Sequence, residues 1–221
     1  MTSPHEHAIR ITQGTLALEG ILGLPAGSHG VVVFAHGSGS GRFSPRNNFV
    51  ALHLQQNGLA TLLLDLLTPD EAEDRRKVFD IDLLADRLLL AKAWLGAEPR
   101  TRNLGIGYFG ASTGAGAALQ GAARDPSSIR AVVSRGGRPD LAEPYLASVA
   151  APTLLIVGGY DEPVIEMNQA AYELLTCEKQ LIIVPGATHL FEEPGTLEQV
   201  ADHAGKWFQR YVKGDGTTPK R

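Results

Sequence analysis

The sequence contains little that would tie the chain to disulfides, metals or membranes. Cys177 is the only cysteine among 221 residues, which excludes an intrachain disulfide and a metal site built from paired cysteines. Histidines and acidic residues form no cluster with metal-ligand spacing. No apolar run approaches the roughly 18 residues of a membrane span, and residues 1–10 lack the apolar region of a signal peptide. We therefore expect a cytoplasmic protein with no metal, no cofactor and no membrane partner.

The chain also lacks a strong charge of either sign. Twenty Lys and Arg residues stand against 24 Asp and Glu residues, which gives a net charge of −4. No basic stretch is long enough to form a nucleic-acid surface, so we expect no nucleic-acid partner. The length suits one domain with a sizeable core. We expect that domain over 1–213 and a flexible tail over 214–221, with the oligomeric state left open.

What the sequence does contain is an alternation of short apolar runs and helical patterns. Residues 6–13 and 15–24 partly alternate apolar and polar side chains around Gly14, which predicts an antiparallel hairpin at a sheet edge. Six later runs lack this alternation, as strands covered on both faces do: 31–35, 60–67, 104–109, 131–134, 153–157 and 180–184. Helical patterns occupy 45–56, 80–96, 113–124, 139–149, 163–175 and 196–212. The order predicts an α/β fold with a mostly parallel sheet and helices on both faces.

Residues 107–116, GYFGASTGAG, combine a strand end, a serine and a helix start. Gly110–Gly114 fit the pattern G-x-S-x-G. The pattern places Ser112 in a sharp strand-to-helix turn at the carboxyl edge of the sheet, where open α/β folds bind ligands. Such a turn strains the backbone and aims the hydroxyl outward. Five common residues also match by chance, so the alternative is that Ser112 merely occupies a glycine-rich turn.

A nucleophilic serine needs a base and an acid, which in this fold follow it in the order acid, then histidine. Asp161 comes directly after the strand TLLIV, and His189 follows the next strand. We expect His189 to take the proton of Ser112 and Asp161 to orient the imidazole. Alternatives remain open: Glu162 as the acid, Asp161 as a cap of the helix near Pro163, and His189 as a packed loop residue.

The loop after the first parallel strand reads HGSGSG, residues 36–41. Its glycines allow the backbone to approach a substrate closely. We expect an oxyanion hole formed by the backbone N–H groups of Thr113 and Ser38, the latter with an uncertainty of about one position. His36 lies in the same loop, and we expect a structural hydrogen bond from it because a base there would duplicate His189.

These motifs together resemble an α/β-hydrolase of the dienelactone-hydrolase-like family over nearly the whole chain. The resemblance is carried by HGSGSG (36–41), GYFGASTGAG (107–116), VVSRGGRPDLA (132–142), LLIVGGYDEPV (154–164) and VPGATHLFEEPG (184–195). The family's dienelactone hydrolases use a cysteine nucleophile, whereas this chain has Ser112, and HGSGSG lacks the acidic residue that activates that cysteine. The resemblance therefore implies an esterase more than a dienelactone substrate. Some relatives are fused to a phosphoribosyltransferase domain, which we do not expect within this chain.

Two groups of arginines flank the predicted site. Arg42 and Arg46 follow the HGSGSG loop, and Arg135 and Arg138 follow the strand AVVS. Guanidinium groups suit carboxylate or phosphate, so these residues are candidates for binding an anionic substrate group. The alternative is that they form ion pairs with Asp140, Glu143 or the acidic run 70–74.

Two further features concern access to the site. Residues 68–80 lack apolar periodicity and are either a flap over the pocket or a solvated loop without a role; we favour the loop. Between AVVS and TLLIV there is room for only one short helical piece, so we expect no large lid.

The leading function is a serine carboxylesterase for short acyl chains. An acyltransferase or a lactone hydrolase using the same residues is the first alternative, and a non-catalytic partner-binding module is the second. A dinucleotide enzyme is disfavoured because the glycine-rich turn follows the third parallel strand and lacks a suitable acidic partner.

Overall fold

Eight strands form one sheet in the structure, a computed structural model that describes residues 5–213. The strands are β1 Glu6–Gln13, β2 Leu16–Gly23, β3 Gly30–Ala35, β4 Ala60–Leu64, β5 Gly105–Ala111, β6 Ile129–Arg135, β7 Thr153–Gly158 and β8 Lys179–Val184. All eight predicted strands are present, with ends shifted by up to three residues. The predicted tail, 214–221, lies outside the described residues.

The strand order is β1-β2-β4-β3-β5-β6-β7-β8. The first hairpin and the β2–β4 pair are antiparallel, and every other pair is parallel. β3, β5 and β6 therefore lie side by side, and their carboxyl ends meet at one edge. This arrangement confirms the predicted α/β-hydrolase fold, a mostly parallel sheet with an N-terminal antiparallel pair.

Helices cover both faces of the sheet. They are α1 Pro45–Gln56, α2 Pro69–Glu73, α3 Arg75–Val78, α4 Ile81–Ala97, α5 Thr113–Arg124, a 3₁₀ helix Pro139–Ser148, α6 Glu162–Leu174 and α7 Thr196–Tyr211. α1 and α7 contact each other over one apolar cluster. α4, α5 and the 3₁₀ helix share the second cluster on the other face. Alternate residues of β3 supply the two clusters, since Val31 and Val33 belong to one and Val32 and Phe34 to the other.

The interpretation of 68–80 as a solvated loop was wrong, because the structure forms α2 and α3 there. Both helices are short and have no fully buried residue, which explains why hydrophobic periodicity did not reveal them. A capping box starts α2: the Thr68 hydroxyl accepts from the Glu71 N–H at 3.3 Å, and the Glu71 carboxylate accepts from the Thr68 N–H at 3.0 Å. The T-x-x-E spacing was the overlooked signal.

The helix predicted over 139–149 is a 3₁₀ helix rather than an α-helix. Pro144 lies inside it, and Ala142 departs from helical geometry. Proline removes one backbone donor and crowds the preceding turn, so a regular α-helix does not form here. This element is the only one between β6 and β7, and the described residues contain no large lid.

Candidate active site

Ser112 lies in a strained turn between β5 and α5. Its φ is 51° and its ψ is −122°, a combination that non-glycine residues rarely adopt. Its side chain forms no cap of α5, although Ser112 occupies the N-cap position. The hydroxyl is therefore not committed to the helix that follows it, which weighs against a mere turn residue.

Glycines make this turn possible because neighbouring segments of the chain approach Gly110, Gly114 and Gly37 too closely for a larger side chain. A Cβ on Gly110 would lie 2.7 Å from the Ala115 nitrogen, and one on Gly114 would lie 2.6 Å from the His36 carbonyl oxygen. A Cβ on Gly37 would lie 3.0 Å from the Ser112 Cβ. The HGSGSG loop thus lies directly against the serine, as the sequence predicted.

Asp161 and His189 form a hydrogen bond, with 2.6 Å between the carboxylate Oδ2 and the imidazole Nδ1. Asp161 is the N-cap residue of α6, yet its side chain makes no capping bond. The alternative of a helix cap is therefore wrong. The Asp161 side chain is 13% exposed, whereas that of His189 is 38% exposed, so the carboxylate lies behind the imidazole and the imidazole faces the opening.

Gly136 connects the serine turn to the histidine loop. The Ser112 N–H donates to the Arg135 carbonyl at 3.2 Å, and a Cβ on Gly136 would lie 3.4 Å from both the Nδ1 and Cε1 atoms of His189. Among the hydrogen bonds of residues 5–213, none joins the Ser112 hydroxyl to His189. The structure brings the two residues to the same edge of the sheet, and direct proton transfer between them stays a prediction.

A cavity of about 680 Å³ opens beside the serine turn. Ser38 and Thr113, the predicted oxyanion-hole residues, both line it. In the described part of the chain, no backbone hydrogen bond outside the regular helices and strands uses the N–H of either residue. Both donors are therefore available to a ligand, but their role as an oxyanion hole stays a prediction. Ser112 itself is not among the lining residues, so the cavity adjoins the serine rather than enclosing it.

His36 has the structural role that the sequence predicted. Its Nε2 accepts from the Leu66 N–H at 3.1 Å, and its Nδ1 donates to the Gly37 carbonyl at 3.0 Å. Burial lowers the pKa of His36, against smaller opposing contributions from the Gly37 hydrogen bond and from Asp65. A neutral imidazole fits both hydrogen bonds, and it ties the HGSGSG loop to the end of β4.

The α2–α3 segment forms an apolar wall of the cavity through Pro69, Ala72 and Val78. Glu71 anchors this wall, since its carboxylate accepts from Arg87 of α4 at 3.0 Å. Burial acts to raise the pKa of Glu71, but the Thr68 N–H and the Arg87 and Lys77 charges outweigh it and lower that pKa. Residues 69–78 thus line the cavity, as in the flap alternative that the sequence analysis raised but did not favour.

Two of the four candidate arginines are paired with carboxylates: Arg138 with Asp140, a partner that the ion-pair alternative named, and Arg42 with Asp65, a partner that it did not name. Arg42 binds Asp65 through its backbone N–H at 2.6 Å and through its guanidinium. Arg138 forms a bidentate pair with Asp140 at 2.7 and 2.8 Å, which raises the pKa of Arg138. Neither guanidinium is free to bind a substrate without breaking its pair.

The other two arginines, Arg46 and Arg135, have no close pairing with a carboxylate among the described residues. Arg46 lines the cavity and approaches Glu192 at only 3.5 Å, with the Glu192 side chain 64% exposed. Arg135 is buried, and no described residue forms a hydrogen bond or ion pair with its Nε or Nη1. Its guanidinium carbon lies 6.0 Å from the centre of the Phe191 ring, two residues beyond His189.

Comparison with known proteins identifies the family to which this site belongs. The model of the dienelactone hydrolase family matches residues 18–213. The chain belongs to the dienelactone hydrolase family. A crystal structure of a dienelactone hydrolase from Anabaena variabilis is 57% identical, with a TM-score of 0.91 over 94% of this chain and 98% of that one. Family and fold together support hydrolase activity.

Two more distant structures share the fold. Est1E from Butyrivibrio proteoclasticus is 17% identical, with a TM-score of 0.79 over 92% of this chain and 98% of that one. A serine hydrolase without a lid from Xanthomonas campestris is 18% identical, with a TM-score of 0.76 over 99% of both chains. At these identities the likeness concerns the fold alone.

A Mycobacterium tuberculosis protein provisionally named a phosphoribosyl transferase is 56% identical over 211 residues. The match covers 96% of this chain but 48% of that protein. The chain therefore spans about half the length of the curated relatives it matches.

Residues 5–213 contain no group of three or more His, Cys, Asp or Glu side chains placed to hold a metal ion. No helix in the same range is both long and apolar enough to span a bilayer. Cys177 is half-buried beside Thr153, and burial raises the pKa of its thiol, which disfavours the reactive thiolate form.

Proposed function

We propose that the chain is a serine hydrolase of carboxylic esters with short acyl groups. Ser112 attacks the ester carbonyl while His189 accepts its proton, and His189 then returns that proton to the departing alcohol. Asp161 holds the imidazole tautomer and stabilises the imidazolium. The Thr113 and Ser38 N–H groups stabilise the oxyanion, and water attack on the acyl-enzyme completes the cycle.

The observation that carries this proposal is the Asp161–His189 hydrogen bond of 2.6 Å at the edge where Ser112 adopts its strained conformation. If Asp161 capped α6, its carboxylate would bind backbone N–H groups of that helix instead of His189. In unliganded enzymes the bond from base to nucleophile is often long, so a missing Ser112–His189 bond is compatible with the mechanism.

The cavity supports a small substrate. Its apolar lining includes Leu67, Pro69, Val78 and Leu84, and no large lid in the described residues encloses a long chain. Short acyl groups fit a cavity of about 680 Å³ that opens to solvent. Phe43, 70% exposed, stands at the rim and offers an apolar surface to an incoming ester.

A lactone is the second candidate substrate, because the 57% identical Anabaena protein is named a dienelactone hydrolase. A lactone is an internal ester, and the same residues would open it without releasing a separate alcohol. An acyltransferase differs only in the group that reaches the acyl-enzyme first. The name phosphoribosyl transferase applies to a chain about twice as long, so by itself it does not describe the matched half.

A series of p-nitrophenyl esters from acetate to decanoate tests the proposal. We expect wild-type protein to hydrolyse the shortest esters fastest and Ser112→Ala to lose activity. A dienelactone assayed in parallel separates the two candidate substrates. A fluorophosphonate that labels wild type but not Ser112→Ala would support a serine nucleophile even with slow esters. Failure of both hydrolysis and labelling would instead favour a non-catalytic module.

A further inference from the structure

Asn168 is a polar residue on the buried face of α6. Its neighbours on that face are Val164, Ala171 and, just beyond the helix end, Leu175. Their spacing of three and four residues is that of a helical stripe packed against a core. Asn168 lies within the stripe and is 0% exposed. Because a buried amide costs free energy unless it is hydrogen-bonded, an asparagine at this position indicates a specific partner.

The partner is the loop that follows β6. The Nδ2 group of Asn168 donates to the Gly137 carbonyl at 3.0 Å and to the Val164 carbonyl of its own helix at 2.8 Å. Only the NH2 end of the amide can face two carbonyl oxygens, so these partners fix its orientation. The Oδ1 atom has no hydrogen-bond partner among residues 5–213. The amide therefore serves through its donor, and the bond to Gly137 is its contact outside α6.

The β6 loop, residues 135–138, is attached at both ends to the serine turn. The Ser112 N–H donates to the Arg135 carbonyl at 3.2 Å, and the Ser112 carbonyl accepts from the Arg138 N–H at 3.0 Å. Gly137 lies between these two bonds, and a Cβ on it would lie 2.6 Å from a side-chain atom in the first turn of α5. Because packing this close transmits displacements, a shift of Gly137 reaches the backbone that carries Ser112.

The same loop supports the histidine. A Cβ on Gly136 would lie 3.4 Å from Nδ1 of His189 and 3.2 Å from its carbonyl oxygen, so the imidazole rests against this glycine. Nδ1 is also the atom that bonds Asp161. Asp161 belongs to the first turn of α6, since its carbonyl accepts from the Val164 N–H at 3.0 Å. The acid is therefore fixed to α6, whereas the nucleophile and the support of the base are fixed to the β6 loop.

We propose that Asn168 is a positioning residue that holds the acid–base pair in register with the nucleophile. Asp161 is carried by α6, whereas Ser112 is bound to the β6 loop. The Asn168–Gly137 bond joins these two parts about two helical turns from Asp161. Asn168 does not line the cavity, so it acts through Gly137 and not on the substrate. Its role in catalysis rests on the proposed function, whereas the link between α6 and the loop does not.

Steady-state kinetics of Asn168→Leu separates positioning from a purely structural role. Leucine has the same branched shape but cannot donate to Gly137. We expect kcat for p-nitrophenyl acetate to fall about ten- to a hundredfold, the usual cost of a small misplacement of catalytic groups. KM should change less than about threefold, because Asn168 is not among the residues that line the cavity. The rate of fluorophosphonate labelling at Ser112 should fall with kcat. An unchanged kcat per folded molecule would overturn the proposal.

Leu175→Ala is the matched control. It removes a buried side chain about 20 Å along the helix from Asp161, so the Tm should fall at least as much as in Asn168→Leu. At a temperature well below both Tm values, its kcat per folded molecule should equal that of wild type. An equal loss of kcat in this control would assign the effect to general destabilisation and overturn the proposal. If Asn168→Leu does not fold, Asn168→Ser removes the same link, because the hydroxyl is one bond shorter than the amide.

The proton between His189 and Asp161 provides a readout that needs no substrate. A short hydrogen bond of this kind gives a proton resonance far downfield of the amide region. We expect this resonance to shift or broaden in Asn168→Leu and to stay as in wild type in Leu175→Ala. If wild type hydrolyses no ester, that change would reject the proposed function and keep the positioning role. Equal hydrolysis by wild type and Asn168→Leu, with an unchanged resonance, would reject the positioning role and keep the proposed function.

Discussion

At the residue scale, the chemistry depends on a serine held where most residues do not fit. Ser112 has a positive φ, and glycines at positions 110 and 114 allow the neighbouring backbone to pass closely. Strain of this kind persists only when the surrounding structure enforces it. Gly110 and Gly114 therefore serve to hold Ser112 in its strained conformation. Substitutions at these glycines should reduce stability as well as activity.

Gly114→Ala should destabilise the protein severely because its Cβ would meet the backbone of Ala35 and His36, which cannot move aside cheaply. We expect a loss of several kcal/mol in the free energy of unfolding, measured by denaturant titration. Gly96→Ala in α4 is the matched control. A Cβ there meets nothing within 4 Å, so helix propensity should make this variant neutral or up to about 1 kcal/mol more stable. Equal losses would contradict the steric explanation.

Asp161→Asn should lower kcat by about a thousand- to ten-thousandfold, because the amide no longer fixes the imidazole tautomer. KM should change little, since the carboxylate lies behind His189 rather than at the opening. Glu162→Gln is the control at the adjacent exposed acid, and it should retain activity. The reverse ranking of the two variants would assign the acid to Glu162.

At the scale of elements, the sequence predicted the framework and missed the parts that lack a core-facing side. Buried strands such as β3 and β7 are continuous apolar runs, and their order alone places Asp161 and His189 at one edge. α2 and α3 have no buried residue, so no hydrophobic period marks them. The Arg138–Asp140 pair is local and was among the alternatives, whereas the pairing of Arg42 with Asp65 depends on a contact across the chain that sequence spacing does not give.

Glu71 holds the α2–α3 wall through the capping box and through Arg87. Glu71→Gln weakens both, so we expect faster amide hydrogen exchange over 69–78 and an altered KM, with stability reduced by about 1 kcal/mol. Glu73→Gln, an exposed change in the same helix, should leave exchange as in wild type. Unchanged exchange in Glu71→Gln would contradict the anchoring role.

His36 links the loop after β3 to the loop after β4 through its bond to Leu66, and it should make the free energy of unfolding depend on pH. Its pKa is below the ordinary 6.5 in the folded protein, so the unfolded chain binds the proton more readily. The free energy of unfolding should therefore fall as the pH drops below about 6.5, by at most about 1.4 kcal/mol per pH unit for one proton. His36→Gln should flatten this slope between pH 5 and 6.5 in urea titrations. An unchanged slope in His36→Gln would show that another group titrates there.

At the scale of the whole molecule, one sheet separates two apolar clusters, and we expect the two to unfold together because the same strands supply both. Trp94 packs against one cluster and Trp207 lies in the other. In a Trp207→Phe background, Phe208→Ala should lower the unfolding midpoint reported by Trp94 fluorescence, although Phe208 belongs to the opposite face. The expected loss is about 3–5 kcal/mol for a fully buried phenylalanine. Leu52→Ala, 50% exposed on α1, should shift the midpoint little; a Trp94 signal insensitive to Phe208 would indicate separate units.

The position of α7 near the end of the domain also determines when, during synthesis, one face of the sheet can be fully covered. Its end lies over three glycines: a Cβ on Gly30 would meet Val212, one on Gly105 would meet Lys213, and one on Gly107 would meet Phe208. The ribosome makes β3 about 160 residues before α7, a delay of roughly 10–30 s at usual elongation rates. Throughout that interval α1 is the only helix of this face that has been made, so the part of the sheet that α7 later covers stays exposed. We therefore expect the growing chain to expose apolar strand residues such as Val32 and Phe34 until α7 has been made.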